Sequence, residues 1–477
     1  MLHKHAELEA AFHPNTIAVI GASDNPISLG YRFVYWLMSH GYTGNIYAVN
    51  PKKKVILGLP VYPNLSSIPE PVDYVICCIS AFKIPALLEE CPGRGTKFVH
   101  IFSGRLSETG RKEAKELEAV ILRKARKLNL HLIGPNCMGI YHPRHGITFN
   151  EELPMEIGEV GALFQSGGLA TLLIRYGVLQ GLGFSKVISY GNALDLDECD
   201  FLEYLTYDEK TGIIACYIEG TKDGKRFIKT LFNSASIKPV IIIKGGRGIA
   251  GKKSAASHTA ALSGSYRIWQ TALRQTGAIQ VGDLSELVDL LVLFSFLPSI
   301  NGKRAGILGG GGGPSVLTAD ICEAAGIMIP QFSYEMKEEL KKRAPEIWDW
   351  LGNPVDISAS WPFIQPEEIL KMMAESPYFD FIIANIDEPA ALPKDEWNAF
   401  IGNIIDTAIN ISKRQVKPII VVLSGGKFHL EQFQDWRWRS LADFRSRLVA
   451  AHVPTYSTIT EAVKAISKFI DYWQKRK

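Results

Sequence analysis

Three things that this 477-residue sequence lacks set its first limits. Its seven cysteines show none of the paired spacings that ligate a metal or frame a disulfide-rich fold. Cys77 and Cys78 lie inside an apolar strand, and Cys137, Cys199 and Cys216 are scattered, so they read as reduced, mostly buried thiols of an intracellular, cytoplasmic protein. Long apolar runs are also missing. None reaches membrane-spanning length, and the opening stretch MLHKHAELEAAF has no secretory apolar segment. Charge of one sign is scarce too, with a net charge of +3 spread over acidic and basic stretches, which does not point to nucleic acid or an anionic membrane.

What remains is the composition of a globular protein, 47% hydrophobic and 21% charged, with 42 glycines that recur at strand ends. The length predicts about three domains. TIAVIGAS at 16–23 reads as a strand, followed by a loop to Gly30 and a helix to His40. NIYAVN at 45–50 is a second strand, followed by Pro51 and the lysines Lys52, Lys53 and Lys54. VDYVICCI at 72–79 and KFVHIF at 97–102 are near-continuously apolar, as strands buried on both faces are. A helix over about 107–128 leads into HLIGPN at 131–136. Strands alternating with helices in this way predict a parallel, Rossmann-like sheet with a nucleotide-sized crevice at its strand ends.

The glycine fingerprint for NAD is incomplete. Gly21 is followed by Ala22 and Ser23, and the next glycine is Gly30. The second strand ends in Asn50, Pro51 and Lys52, where the NAD pattern places a ribose-binding carboxylate. The lysines there suit a phosphorylated ribose or another polyanionic nucleotide; a plain solvated turn is the other reading.

A second block opens near Glu159. GALFQSGGLA at 161–170 reads as strand, tight glycine turn and helix start, so Ser166, Gly167, Gly168 and Leu169 offer amides at the positive end of a helix. That turn is either a phosphate cradle or a device for close helix packing. Asp195, Asp197, Glu198 and Asp200 form an acidic run after the next strand, IIACYIEG at 213–220 carries Glu219 at its end, and KPVIIIKG at 238–245 carries Lys244 at its tip. Next comes GGRGIAGKKSAASHTAALSG, a Gly- and Ser-rich basic segment holding His258. Imidazole is a usable nucleophile near neutral pH, and its second nitrogen can be oriented by a carboxylate, so this loop suits reversible phosphorylation. Lys244, Glu219 and the loop of His258 are expected at one sheet edge. A third block starts at Gly302, with RAGILGGGGGPS at 304–315 as strand and glycine turn and a helix from about Ser315.

These strings occur in one order: GAS at 21–23, NPK at 50–52, SGRLSETG at 103–110, GPNCMGI at 134–140, QSGGL at 165–169, GNALDLD at 191–197, YIEG at 217–220 and SHTAAL at 257–262. Taken together, the chain resembles the alpha subunit of NDP-forming acyl-CoA synthetases, close to the ADP-forming acetate–CoA ligases and more distantly to succinyl-CoA synthetase. The resemblance implies an α/β architecture: a Rossmann-like CoA-binding domain at 1–150, a catalytic flavodoxin-like domain at 155–298 and a second flavodoxin-like domain at 301–477. It implies that His258 carries phosphate, that Glu219 orients its imidazole, and that Ser166, Gly167, Gly168 and Leu169 cradle the phosphate. CoA is then expected over Gly21, Ala22 and Ser23 with Lys52 near its nucleotide phosphates, and Asn136 is placed to meet the acyl or phosphate group. ATP or ADP and Mg²⁺ are expected on a partner ATP-grasp beta subunit in an alpha2beta2 assembly, since the three blocks occupy the whole length. The other expected ligands are CoA, phosphate and a small carboxylic acid.

Two departures from the family pattern stand out. Ala260 replaces the usual glycine after the His-Thr pair, and Gly309 to Gly313 run straight into Pro314 where an Asn-bearing turn is usual. Two other readings stay open: a CoA-binding regulatory or scaffold protein without turnover, and CoA transfer without phosphorylation.

Overall fold

The computed structural model describes residues 2–253, 265–361, 363–386, 392–424 and 435–476. The chain divides into two compact units, 1–287 and 288–477.

The first unit holds two sheets. In the first, β1 (Thr16–Ile20) lies inside, between β2 (Asn45–Val49) and β5 (Tyr74–Cys77). Beyond β2 come β4 (Leu59–Tyr62) and the antiparallel edge strand β3 (Val55–Ile56); beyond β5 come β6 (Phe98–Ile101) and β7 (His131–Ile133). Every other pairing is parallel, with Ile17 opposite Ile46 on one side and Tyr74 on the other. The reason is visible in β1 itself: its five residues are all buried, and a strand covered on both faces needs helices on both faces. The helix α2 (Leu29–Ser39) supplies one cover. Ser28 caps it by accepting the N–H of Tyr31, and Gly30, Phe33, Val34 and Leu37 form its buried stripe. Because the sheet grows away from β1 in both directions, the carboxyl end of β1 opens on a topological switch point.

The second sheet repeats this device. Its strands run β13 (Ile279–Val281), β12 (Val240–Lys244), β11 (Ile213–Ile218), β9 (Ile157–Phe164), β10 (Phe184–Ser189) and β8 (Gly139–Tyr141), so β9 is flanked on both sides and its carboxyl end is a second switch point. β8 is antiparallel to β10, with Ile140 opposite Ile188, and the chain thus changes sheets between Ile133 and Gly139. Two further elements are not legible from periodicity. The first helix, α1 (Leu2–Phe12), seats Phe12 on the ring of Tyr204, at 4.4 Å between centroids, and Glu9 accepts the Tyr204 hydroxyl at 2.5 Å. The short hairpin of β3 and β4 follows the lysine turn directly.

The second unit carries a four-stranded parallel sheet, β14 (Ala305–Leu308), β15 (Phe381–Ile386), β16 (Ile419–Leu423) and β17 (Thr455–Tyr456) in that order. Among the described residues β14 is its edge, bordered on the outer side by single bridges from Arg304 to Met328 and from Leu308 to Val355. The helix after the glycine turn begins at Gly312, three residues before the expected start at Ser315. Pro314 is accommodated there because first-turn N–H groups have no intrahelical acceptor, so nothing is lost by its missing hydrogen. Among the described residues, no helix is long and apolar enough to cross a membrane.

Candidate active site

At the first switch point the loop after β1 is closed by backbone contacts. Gly21 takes φ +86°, and the amides of Gly21 and Ala22 both donate to the carbonyl of Val49, at 3.0 and 3.2 Å. These two amides are thus engaged within the sheet, and the loop presents the Ser23–Ser28 stretch instead. A Cβ on Gly30 would stand 1.9 Å from the Gly21 carbonyl oxygen, so only glycine lets α2 start this close to the strand end. Asn50 ties the neighbouring strand to the same loop: its amide donates to the Ala22 carbonyl at 2.7 Å, and its side-chain oxygen accepts the Lys52 N–H at 2.8 Å. Lys52 and Lys53 are both exposed, and Lys53 is paired with Asp24 at 2.5 Å. The lysine turn is therefore held against the mouth of the crevice, and its residues are not equivalent. A crevice with glycine at its floor and an amine at its rim fits an anionic nucleotide.

The second switch point gathers five of the strings that are far apart in the chain. Gln165 follows β9, and its side-chain oxygen accepts the backbone N–H groups of Glu219 and of Gly220, the latter at 3.2 Å. Ser166 caps α5 (Gly167–Leu179) by accepting the Leu169 N–H at 3.3 Å. Of the expected cradle, the Leu169 amide is thus used locally, while Gly167 and Gly168 occupy the first turn, where amides have no intrahelical acceptor. A Cβ on Gly167 would lie 2.4 Å from Cγ of Met138, so the 134–140 loop packs directly on this helix start. The Met138 N–H donates to the Ser189 hydroxyl at 3.1 Å, fixing that loop to the end of β10.

Asn136 sits in this loop at φ +58°, after the cis peptide Gly134–Pro135. Its amide meets the side-chain oxygen of Asn192 at 3.5 Å, and Asn192 in turn donates to Glu108 at 2.8 Å. Glu108 also accepts the N–H of Leu106 at 3.1 Å and that of Arg105. Backbone bonds from Asn192 to the Pro135 carbonyl (3.0 Å) and from Leu194 to the Gly134 carbonyl (2.8 Å) lock the two loops together. Glu108 and Asn192 were not assigned roles from sequence, although both lie within motif strings; the signal that places them is their position in those strings, not any periodicity.

Glu219 is 7% exposed at the end of β11. Tyr217 donates to its Oε1 at 3.1 Å, and Lys244 donates to its backbone carbonyl at 2.6 Å. Burial pushes the Lys244 amine down to about 8, against the opposing pull of Glu219, and its nitrogen lies 5.0 Å from the centre of the Trp269 ring. A Cβ on Gly245 would come within 2.7 Å of the Tyr217 hydroxyl, so the chain leaves β12 pressed against the same cluster. Glu219 and Lys244 are brought together as expected. His258 and Ala260 lie outside the described residues. The glycine turn of the second unit also closes on its own sheet: a Cβ on Gly309 would overlap the Asn385 carbonyl oxygen at 1.6 Å.

Residues 15–143 match the CoA binding domain family, and residues 157–294 match the succinyl-CoA ligase like flavodoxin domain family. The chain is 33% identical to the alpha subunit of acetate–CoA ligase (ADP-forming) I of Pyrococcus furiosus, over 98% of each chain. It is 35% identical to acetate–CoA ligase (ADP-forming) I of Archaeoglobus fulgidus over 81% of its own length, and spans only 56% of that relative. Among solved structures it superposes, with a TM-score of 0.83 and 28% identity, on a dinucleotide-forming acetyl-coenzyme A synthetase 1 of Ca. Korarchaeum cryptofilum in complex with phosphate and ADP, covering 98% of this chain and 97% of that one. With both domain families matched in order and a full-length alpha subunit matched end to end, the chain belongs to the ADP-forming acetate– and acyl-CoA ligases, as a chain of the alpha-subunit type.

Proposed function

We propose that this chain is the CoA-binding, phosphoryl-relay half of an ADP-forming acyl-CoA synthetase that interconverts acyl-CoA, ADP and phosphate with carboxylate, CoA and ATP. The observation that carries the proposal is the convergence, at the carboxyl end of β9, of the first turn of α5, the Asn136–Asn192–Glu108 chain and the Gln165-held Glu219. Such a place offers what acyl phosphate chemistry requires. The helix start supplies amides to a phosphoryl group, Asn136 supplies an amide to an acyl oxygen or phosphate, and Glu219 supplies a carboxylate to orient an imidazole.

In this reading phosphate attacks the thioester carbon of acyl-CoA, the carbon–sulfur bond breaks and CoA leaves as its thiol. The His258 imidazole then attacks the phosphorus of the acyl phosphate, the phosphorus–oxygen bond to the acyl group breaks and the carboxylate leaves. Phosphohistidine passes its phosphoryl group to ADP. Gly167 and Gly168 hold the phosphoryl oxygens, Glu219 accepts the N–H of the distal imidazole nitrogen, and Lys244 braces the Glu219 backbone. Lys52 faces the ribose phosphate of CoA, beside Gly21, Ala22 and Ser23. Domains at 1–150, 155–298 and 301–477 divide these tasks.

ADP, ATP and Mg²⁺ belong to an ATP-grasp beta subunit, in an alpha2beta2 assembly. That fits a chain spanning a whole alpha subunit in one relative and 56% of a longer ligase in another. The described cysteines are all free, in keeping with a reducing, cytoplasmic setting.

The test is phosphoryl labelling with radiolabelled ATP in the presence of a beta subunit. Acid-labile, base-stable label on the wild-type chain, lost in His258→Ala together with acyl-CoA synthesis while CoA binding persists, is the expected result. Undiminished synthesis by His258→Ala would overturn the relay. CoA binding with no label beside an active beta subunit would favour a scaffold.

A further inference from the structure

Away from this site, three histidines remote in sequence meet beside α1. The ring nitrogens of His13, His142 and His145 available as ligands all lie within 4.8 Å of one another, and the ring centres are 4.5 to 5.1 Å apart. His142 is buried, and His13 and His145 are partly exposed, so the cluster is walled on one side and open to water on the other.

Two of the three rings are already oriented. The Nδ1 of His142 bonds the Phe12 carbonyl at 2.9 Å, which leaves its Nε2 lone pair free to face the other rings. The Nδ1 of His13 is paired with Oε1 of Glu9 at 3.0 Å and lies 3.1 Å from the Glu9 carbonyl. A carboxylate or carbonyl behind each ring is the arrangement that fixes tautomer and raises basicity in histidine metal sites. The third ring is set by its turn. His145 ends the short 3₁₀ segment Pro143–His145, and Gly146, at φ +67°, packs so closely that a Cβ would lie 2.3 Å from the Tyr42 nitrogen.

We propose that His13, His142 and His145 bind a zinc-class divalent cation through three imidazoles and a water, stapling the end of α1 to the 142–147 turn. Imidazole donors suit zinc, and three of them with one open position make a tetrahedral set. A tetrahedral zinc holds its nitrogens ~3.3 Å apart, so the rings need to close by about 1.5 Å or less, a side-chain rotation. The electrostatics permit it. Lys186 is the nearby buried cation, but it is bound to Asp208 at 2.9 Å and stands 5.9 Å from the centre of the Phe12 ring, while Glu9 adds a carboxylate. Arg144 is exposed. The site would be structural, since α1 packs on α6 (Glu198–Tyr207) and not at either switch point.

The test uses the untagged, full-length chain, loaded with zinc and dialysed, with bound metal measured by mass spectrometry; cobalt(II) loading reports geometry by visible absorption. One metal per chain and a tetrahedral cobalt spectrum are expected. His13→Ala and His145→Ala should each weaken binding at least about 10-fold, and Glu9→Gln about 10- to 100-fold, with circular dichroism unchanged. The chain also carries His3 and His5. The double variant His3→Ala/His5→Ala should retain the metal. No stoichiometric metal on the wild type, or retention that follows His3 and His5 instead of His13 and His145, overturns the proposal.

Discussion

Tyr217 donates its phenolic hydrogen to Oε1 of Glu219 at 3.1 Å, with one residue between them at the end of β11. Alternate residues of a strand share a face, so this bond points both side chains to one side of the sheet. It fixes the position of the carboxylate. Tyr217→Phe removes only the hydrogen bond and should slow phosphohistidine formation by about tenfold; Glu219→Gln, which removes the charge, should slow it by about 10- to 150-fold. Rapid-quench labelling with a beta subunit measures both. Equal rates for wild type and Glu219→Gln would remove Glu219 from the relay.

The lysine turn offers a paired comparison. Lys53 is bound to Asp24, and Lys52 is exposed beside it. Lys52→Ala should weaken CoA more than dephospho-CoA, because only CoA carries the ribose phosphate. Lys53→Ala should weaken both ligands alike, by loosening the loop. Calorimetric titration of both ligands checks this, and an equal loss for Lys52→Ala would move that amine off the ribose phosphate.

Gly30→Ala tests the crevice floor. The added methyl meets the Gly21 carbonyl oxygen at 1.9 Å and the Gly21 carbonyl carbon at 2.7 Å, both backbone atoms, so the loop must shift. A destabilisation of about 1–3 kcal/mol and at least tenfold weaker CoA binding are expected, with His258 labelling retained. Thermal denaturation and CoA titration provide the measurements.

Glu198 gives a pH signature of folding. It is 2% exposed in the first turn of α6, and burial pushes its carboxyl up to about 7 from 4.5. Below about 4.5 it is protonated in both states. Between 4.5 and about 7 the native chain keeps a proton that the unfolded chain has released, so stability falls as pH rises, and the loss levels off above about 7. The span is on the order of 3 kcal/mol. Glu198→Gln should flatten the denaturation profile in this window; an unchanged slope would place the titration elsewhere.

Much of this protein is written locally. Five consecutive buried residues in β1, the apolar runs of β11 and β12, and the glycines that end β1 and β9 each announce a strand and a turn, because strand burial and helix starts depend on neighbours one to four residues away. The identity of Glu219 and Lys244 as strand-end residues followed from the same pattern. Three-dimensional packing decided what periodicity does not encode. Only the sheet order sets β1 and β9 inside their sheets, and so turns their following loops into switch points. Three residues at Gly139–Tyr141 are too short to show a pattern, yet they form the antiparallel edge of the second sheet. Asn136 meets Asn192, and Asn192 meets Glu108, across separations of 56 and 84 residues, and His142 bonds the Phe12 carbonyl across 130. Spacing rules for metal and catalytic motifs read only short separations. Contacts of this length exist only once the hydrophobic faces of distant segments have been buried together, and so the site's partners were settled by the fold.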